Sequence, residues 1–131
     1  MKVFLDANVL FSASDPGGAT RKLLDRVAQH GRVLTNPHAR EEARRNLERK
    51  RPHLLSGLED LRCRLTVTHA FRLPTDVDVV DKDKPVIAGA IGAGCTHFWT
   101  SDRQHFGPLY GMKIHGVEVT SSIQLAATLG L

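Results

Sequence analysis

The sequence predicts an α/β fold, a single-domain three-layer α/β/α sandwich over residues 1–131 with a central parallel sheet of about five strands. The main reason is that short apolar runs alternate along the chain with segments of helical periodicity. A second is that the first run is apolar from Val3 to Leu5, which is typical of a strand buried on both faces of a parallel sheet. The third is size, because 131 residues with 41% hydrophobic content can form one core and no shift in composition indicates a second domain.

Five short runs predict the strands. Each contains β-branched or aromatic residues and is bounded by turn residues or by a helical pattern. The runs are residues 3–5, 32–35, 64–68, 96–100 and 117–119.

Helical patterns fill the intervals between the strands. The predicted helices lie between Gly18 and Gly31, from Pro37 to about Arg51, from His53 to Arg62 around an unfavourable glycine, from Asp83 to Gly92 and after Ser121. Gly31 is expected to end the first of them in the left-handed conformation. Asn36 before Pro37 is a start signal, and Ser121 with Gln124 predicts a capping box.

The charge balance favours a polyanionic partner. The net charge is +4 and the pI is near 9.4, although an ordinary basic protein has the same balance. The chain has neither an apolar run of about eighteen residues nor a secretory leader, so we expect a cytoplasmic protein without membrane association. Cys63 and Cys95 form no paired motif and are expected to be reduced thiols.

Two carboxylates follow apolar strands. Asp6 comes directly after the first predicted strand, and Asp102 comes just after the fourth. Right-handed crossovers can bring the carboxyl ends of these strands side by side, at the edge where α/β sheets bind ligands. We therefore expect Asp6 and Asp102 to be neighbours in a site, although Asp at such a position also caps helices.

Glu42, on the predicted helix that begins at Pro37, is a further acid that suits the same site. The buried stripe of its helix is marked by Ala39, Ala43 and Leu47. Glu42 lies about 60° around the helix from Ala39, at the border of this stripe, whereas Glu41 points into solvent. The alternative is a salt bridge from Glu42 to Arg45 on a solvated face.

Asp83 opens the next helix and can face the same cleft. Its alternative role is that of an N-cap, and Asp81 lies only two residues away as a competing third acid. Four acids without a histidine or a cysteine form an all-oxygen site, which suits Mg²⁺ or Mn²⁺. Such a site most often acts on phosphate esters.

Four motifs in this order resemble those of PIN-domain proteins, over nearly the whole chain. They are LDANVLFSA from Leu5, NPHAREEARRNL from Asn36, DKDKPVIAGAI from Asp81 and TSDRQHFGPLYG from Thr100. Two positions depart from the common pattern: Ala7 stands where Thr or Ser is common, and Ser101 stands where Gly is common. Neither departure removes a ligand.

The resemblance implies a PIN-like fold and a metal-dependent endoribonuclease that hydrolyses RNA phosphodiesters with Mg²⁺ or Mn²⁺. The implied catalytic and metal-site residues are Asp6, Glu42, Asp83 and Asp102, with Asn8 and Thr100 in supporting roles. Arg45 and Arg49 share a stripe with Glu42 and are expected to contact the nucleic-acid backbone, with solvated surface charge as the alternative.

The expected partner is RNA, either single-stranded or structured. An antitoxin protein is a further candidate, because the resemblance extends to toxins of toxin–antitoxin pairs, and a second copy of the chain is another. The competing interpretation is a nucleic-acid-binding or partner-regulated PIN protein with little nuclease activity. An aspartyl-phosphate phosphatase is a third, but it would have an acid at the position of Asn8.

Overall fold

A computed structural model describes residues 1–131 and contains one six-stranded sheet with the strand order β3-β2-β1-β4-β6-β5. In chain order the strands are β1 (Lys2–Leu5), β2 (Arg32–Thr35), β3 (Thr66–Val67), β4 (His97–Trp99), β5 (Lys113–Ile114) and β6 (Val117–Thr120). All pairs are parallel except β5 with β6. The predicted α/β class and the five predicted parallel strands are confirmed. The antiparallel edge strand β5 was not predicted.

Seven helices accompany the sheet. They are α1 (Ala7–Ala13), α2 (Ala19–His30), α3 (Pro37–Lys50), α4 (Leu55–Asp60), α5 (Lys84–Gly92), α6 (Arg103–Phe106) and α7 (Ser122–Thr128). Single 3-10 turns occur at Pro52–Leu54, Leu61–Cys63, Asp81–Asp83 and Gly107–Leu109. The short helices α1 and α6 were not predicted, and each is capped by an aspartate that follows a strand, Asp6 after β1 and Asp102 after β4.

The predicted caps are present at two helix starts. Oδ1 of Asn36 accepts a hydrogen bond from the backbone N–H of Ala39 at 3.0 Å, which caps α3. Ser121 and Gln124 form both halves of the capping box of α7. These local hydrogen bonds explain why the sequence signals for both helices were reliable.

Gly31 ends α2 in a different way from the prediction. Its backbone is extended, with φ 172° and ψ −156°, so the expected left-handed conformation is wrong. The position needs a small residue because a Cβ there would collide with the carbonyl oxygen of Met1. The neighbouring N–H of Arg32 donates to the same oxygen at 2.9 Å, which begins the pairing of β1 with β2.

Gly57 permits close packing of α4. A Cβ at this position would overlap with the carbonyl oxygen of Ser14, at the end of α1. The glycine that weakens the helix locally therefore lets α4 approach α1. The predicted continuous helix from His53 to Arg62 is instead α4 flanked by two 3-10 turns.

The central strands are fixed by one hydrophobic core of 26 buried residues. Val3, Phe4 and Leu5 are fully buried, as expected for a strand covered on both faces. The ring of Phe98 lies 6.0 Å from that of Phe4 and 5.1 Å from that of Phe106, measured between centroids. This packing joins β1, β4 and α6, which are the elements that carry Asp6 and Asp102. No helix combines the length and apolarity that a membrane crossing requires.

Candidate metal centre

A polar cleft lies at the carboxyl ends of β1 and β4. These strands are adjacent and parallel, with Leu5 opposite Trp99, so Asp6 and Thr100 follow side by side. The cleft has a volume of about 370 Å³, and only two of its eleven lining residues are hydrophobic. Such a lining suits a charged ligand better than an apolar one. Asp6, Glu42 and Asp102 all line it.

Asp6 is the buried acid of the cleft, with 5% of its surface exposed. Its Oδ2 accepts hydrogen bonds from the Thr100 hydroxyl at 2.8 Å and from Nδ2 of Asn8 at 3.1 Å. Its Oδ1 accepts from the N–H of Ala7 at 2.8 Å, so Asp6 also caps α1. Burial raises the pKa of Asp6 from 3.8 to about 6, although these three hydrogen bonds oppose the rise. A bound cation would lower this pKa, because it favours the ionised form of the carboxyl group.

Asn8 and Thr100 connect the two strand ends. Oδ1 of Asn8 accepts from the backbone N–H and the hydroxyl of Ser101, at 2.9 and 3.0 Å. Oγ1 of Thr100 accepts from the backbone N–H of Asp102 at 3.1 Å. Both residues therefore connect the Asp6 and Asp102 segments, and their supporting role stays a prediction.

Asp102 is half-buried and lies beside a histidine. Its Oδ1 accepts from the backbone N–H of His105 at 3.1 Å and caps α6. Its Oδ2 lies 3.0 Å from Nδ1 of His105, which in turn lies 3.1 Å from Oδ2 of Asp83. The three side chains of Asp83, Asp102 and His105 thus converge on one point, and Asp102 also lines the cleft.

Asp83 does not line the cleft directly but is buried next to it, with 6% of its surface exposed. It makes no capping hydrogen bond to α5, which removes the simple N-cap interpretation. Burial raises its pKa, the charges of His105 and Lys82 lower it, and the charges of Asp102 and Glu42 raise it. The carboxylates of Asp102 and Glu42 raise this pKa because they are near enough to repel the negative charge of Asp83.

Asp81 points away from this cluster. Its side chain is 95% exposed and forms an ion pair of 2.8 Å with Lys84. That contact lowers the pKa of Asp81. Of the two neighbouring acids, Asp83 is the one that the 3-10 turn directs inward.

Glu42 faces the cleft and Glu41 does not. Glu42 is half-buried, whereas Glu41 is exposed and bound by Arg44 at 2.6 and 2.9 Å. The salt bridge considered from Glu42 to Arg45 is not formed, because Arg44 is the arginine that pairs along α3. The periodicity of α3 therefore predicted correctly which of the two acids points inward.

The basic residues that line the cleft are lysines, and the contact of Arg45 and Arg49 with nucleic acid stays a prediction. Arg45 and Arg49 are exposed on α3, and Arg49 contacts Oδ1 of Asn46 at 3.3 Å. The cleft itself is lined by Lys50, which directly follows Arg49 at the end of α3, and by Lys82 from the 3-10 turn before α5. The side chains of these lysines place positive charge next to the acidic pocket.

Sequence reasoning missed His105 and Lys82. His105 follows Asp102 by three residues, which is the spacing that a helix capped by Asp102 would bring back to it. That signal was hidden because α6 is only one turn long. Lys82 lies between the two competing acids Asp81 and Asp83, so its direction depends on the 3-10 turn and has no periodic signature.

The residues present fit a divalent cation. The acids offer oxygen ligands, which hard cations prefer. Two atoms of the cluster, Oδ2 of Asp83 and Nδ1 of His105, are buried without a hydrogen-bond partner. Buried polar atoms normally have a partner, and a cation bound by both atoms would be that partner.

Comparison with known proteins identifies the fold. No protein-family profile and no curated protein sequence matches the chain. Among solved structures, VapBC2 from Rickettsia felis, bound to a DNA fragment from its promoter, matches with a TM-score of 0.69 and 14% identity, over 92% of this chain and 98% of that one. The sarcin–ricin loop cleaving toxin VapC20 from Mycobacterium tuberculosis matches with a TM-score of 0.56 and 15% identity, over 78% and 91%.

Proposed function

We propose, from the PIN-domain fold that this chain shares with the VapC toxins, that it is an Mg²⁺- or Mn²⁺-dependent endoribonuclease. The observation that carries the proposal is the placement of Asp6 and Asp102 on either side of Thr100, at the ends of two adjacent parallel strands. Glu42 faces the same cleft from α3, and Asp83 is joined to Asp102 through His105. Two unrelated segments therefore bring their acids to one edge of the sheet, which helix capping alone does not require.

Each acid has a distinct role in this proposal. Asp6 and Asp102 are central metal ligands, and Asp83 is a ligand that binds directly or through water. Glu42 is a ligand or orients the attacking water. When bound, one or two Mg²⁺ or Mn²⁺ ions supply the activation of water and the stabilisation of the leaving oxygen during in-line attack on a phosphodiester.

Asn8 and Thr100 hold the carboxylates in position. Each donates to Oδ2 of Asp6, which leaves the carboxylate oriented before any ligand arrives. Thr100 also fixes the backbone at Asp102. This preorganisation reduces the rearrangement that binding would otherwise need. No protein nucleophile is required, because the attacking group in this proposal is water.

The charge pattern supports RNA as the substrate. The formal net charge of the chain is positive even though several of its acids are gathered at the site. The remaining surface is therefore more basic than the total suggests. Lys50 and Lys82 flank the acids, and Arg45 and Arg49 extend the positive surface along α3. We assign these four residues to the RNA backbone, and the carboxylates to the phosphodiester that is cleaved.

The fold also supports a role as the toxin of a toxin–antitoxin pair. One matching structure is a VapBC complex on promoter DNA, and the other is a toxin that cleaves the sarcin–ricin loop. An antitoxin encoded beside this chain is the protein partner that we propose, and a homodimer is the proposed oligomeric state.

The test uses purified full-length protein with a structured RNA in Mn²⁺, with parallel reactions in EDTA. Asp83→Asn and Asp81→Asn form a matched pair, because each removes one acid from the same 3-10 turn. We expect Asp83→Asn to cleave poorly and Asp81→Asn to cleave like wild type. Cleavage that persists in EDTA, or that Asp6→Asn leaves intact, would contradict the proposal and favour a binding protein with a contaminating nuclease.

Metal binding gives a second readout of the same variants. If Mn²⁺ is present at about ten times its dissociation constant, it should stabilise wild type by roughly 1.4 kcal/mol, or about 4 to 7 °C in Tm. Asp83→Asn should gain much less than this, whereas Asp81→Asn should gain the full shift. Loss of the shift in Asp81→Asn alone would show that Asp81, and not Asp83, belongs to the site.

A further inference from the structure

His105 lies at the acidic cluster, although no pattern in the sequence assigns it to the site. It lies on α6, where the cap from Asp102 fixes its backbone. This places Nδ1 of its imidazole 3.0 Å from Oδ2 of Asp102 and 3.1 Å from Oδ2 of Asp83. The histidine is half-buried, with 24% of its side chain exposed.

The contacts of His105 are not those of an ordinary ion pair. Nδ1 carries at most one hydrogen, so it can donate to only one of the two carboxylates. Nδ1 makes no hydrogen bond to either, and Oδ2 of Asp83 is also buried without a partner. Only 6% of the surface of Asp83 is exposed, so bulk water does not reach this oxygen. A cation shared by the three atoms would satisfy all of them, because it needs only their lone pairs.

The separations of the three atoms also suit a shared ion. All lie within 4.8 Å of one another, and Nδ1 of His105 lies 3.0 and 3.1 Å from the two carboxylate oxygens. Two ligands bound at right angles to one ion, with bonds of about 2.1 Å, lie roughly 3.0 Å apart. Two carboxylates and a neutral imidazole together carry the charge that balances one divalent cation.

We propose that Nδ1 of His105 is a metal ligand together with Asp83 and Asp102, and that it makes the site prefer Mn²⁺ to Mg²⁺. The proposal rests on the proposed function in assigning the two carboxylates to the metal. Mg²⁺ favours oxygen ligands and keeps several waters, whereas imidazole nitrogen suits transition-metal ions. Replacing one oxygen ligand by nitrogen therefore weakens the binding of Mg²⁺ more than the binding of Mn²⁺.

The direct test is pulsed electron paramagnetic resonance of the Mn²⁺-loaded, tag-free protein, since Mn²⁺ bound by imidazole shows modulation from nitrogen-14. We expect this modulation in wild type and in His115→Gln, and its loss in His105→Gln. His115 is a suitable control because it pairs with Asp76, outside the cluster, at 2.9 Å. Wild type that binds Mn²⁺ without the modulation would overturn the proposal, whether or not the His105 variant folds.

Calorimetric titration measures the preference between the two ions. His105→Gln should weaken Mn²⁺ binding about tenfold or more and Mg²⁺ binding less than about threefold. Equal losses for both ions would overturn the claimed preference. Mn²⁺ binding through oxygen alone would overturn the role of His105 while leaving the ribonuclease proposal intact. A wild-type protein that binds neither ion would overturn both.

Discussion

The hydroxyl of Thr100 donates to Oδ2 of Asp6 at 2.8 Å and accepts from the backbone N–H of Asp102 at 3.1 Å. One buried side chain therefore contacts both aspartate segments, across 94 residues of sequence. The direction of the first bond matters, because a hydroxyl that donates to a carboxylate stabilises its ionised form. Thr100 thus counteracts the effect of burial on the pKa of Asp6, the carboxyl group that must be ionised to bind a cation.

Thr100→Val should slow Mn²⁺-dependent cleavage by about tenfold or more at pH 7. Valine keeps the shape of threonine but donates no hydrogen bond, so the pKa of Asp6 should rise above its value of about 6. Thr100→Ser restores the hydroxyl and should recover most of the rate. Carbon-13 NMR titration of the Asp6 carboxyl group in the metal-free protein measures the pKa. An unchanged pKa in the valine variant would show that the hydroxyl has no such effect.

Asp6 should make the metal-free protein less stable at high pH. Its pKa is about 6 in the folded state, above the ordinary 3.8, so the folded protein binds the proton more tightly than the unfolded chain does. Protonated Asp6 therefore makes its full contribution to the free energy of unfolding below pH 4, and this contribution is lost as pH rises through 6. The whole shift corresponds to about 3 kcal/mol.

Asp6→Asn removes this titration. In chelator, the variant should exceed wild type in free energy of unfolding by up to about 3 kcal/mol at pH 8, with a difference that shrinks as pH falls from 6 to 4. Urea denaturation at a series of pH values measures it. Asp60→Asn, at an exposed position, is the control and should show no such trend. A constant difference across this range would mean that Asp6 is not the titrating group.

The sequence predicted the elements whose signals are local or periodic. The apolar run from Val3 to Leu5 identified a strand buried on both faces, and the stripe of α3 distinguished Glu42 from Glu41. The positions of Asp6 and Asp102 followed from strand ends that a parallel sheet brings together. Each of these inferences depends on a pattern that spans several residues or on a general rule of topology.

The features that were missed are those without such a pattern. Strand β5 has two residues, Lys113 and Ile114, too few to alternate. Helix α6 has four residues, so His105 could not be assigned to a helix face. Asp83 was chosen over Asp81 as the third acid, but no periodic pattern supports that choice, because it depends on how a single 3-10 turn is oriented against the cleft. The sequence contains both acids but does not specify which one is buried.

Glu42→Gln should abolish most Mn²⁺-dependent cleavage, while Glu41→Gln should leave it nearly intact. The side chain of Glu42 faces the cleft, whereas that of Glu41 is exposed and pairs with Arg44. Initial rates on one RNA substrate, with folding checked by circular dichroism, make the comparison. Equal losses, or a larger loss for Glu41→Gln, would contradict the assignment of Glu42 to the site.

Lys50 and Lys82 should contact phosphate groups of bound RNA. For single-stranded RNA, log affinity falls with log salt by about 0.7 per phosphate contact. Removing both lysines, as Lys50→Ala with Lys82→Ala, should flatten this slope by roughly 1.4. The pair Arg45→Ala with Arg49→Ala should have a similar effect if RNA follows α3. Fluorescence anisotropy at several salt concentrations measures the slopes.

Arg44 provides the control for this measurement. It lies on the same helix but forms ion pairs of 2.6 Å with both Glu41 and Glu48. Because its charge is already paired, Arg44→Ala should change the slope little. If Arg44→Ala flattens the slope as much as the lysine pair does, the effect comes from net charge and not from contacts at the cleft.

The central claim is that the carboxylates of the cleft hold metal for hydrolysis of an RNA phosphodiester by water. The most direct measurement is mass spectrometry of the RNA products after a single turnover in H₂¹⁸O with Mn²⁺. In-line attack by water, with the 3′ oxygen leaving, predicts a 3′-hydroxyl end and a 5′-phosphate that carries one ¹⁸O atom. Products that end in a 2′,3′-cyclic phosphate, without the label, would contradict the account because the attacking group would then be the RNA's own 2′-hydroxyl.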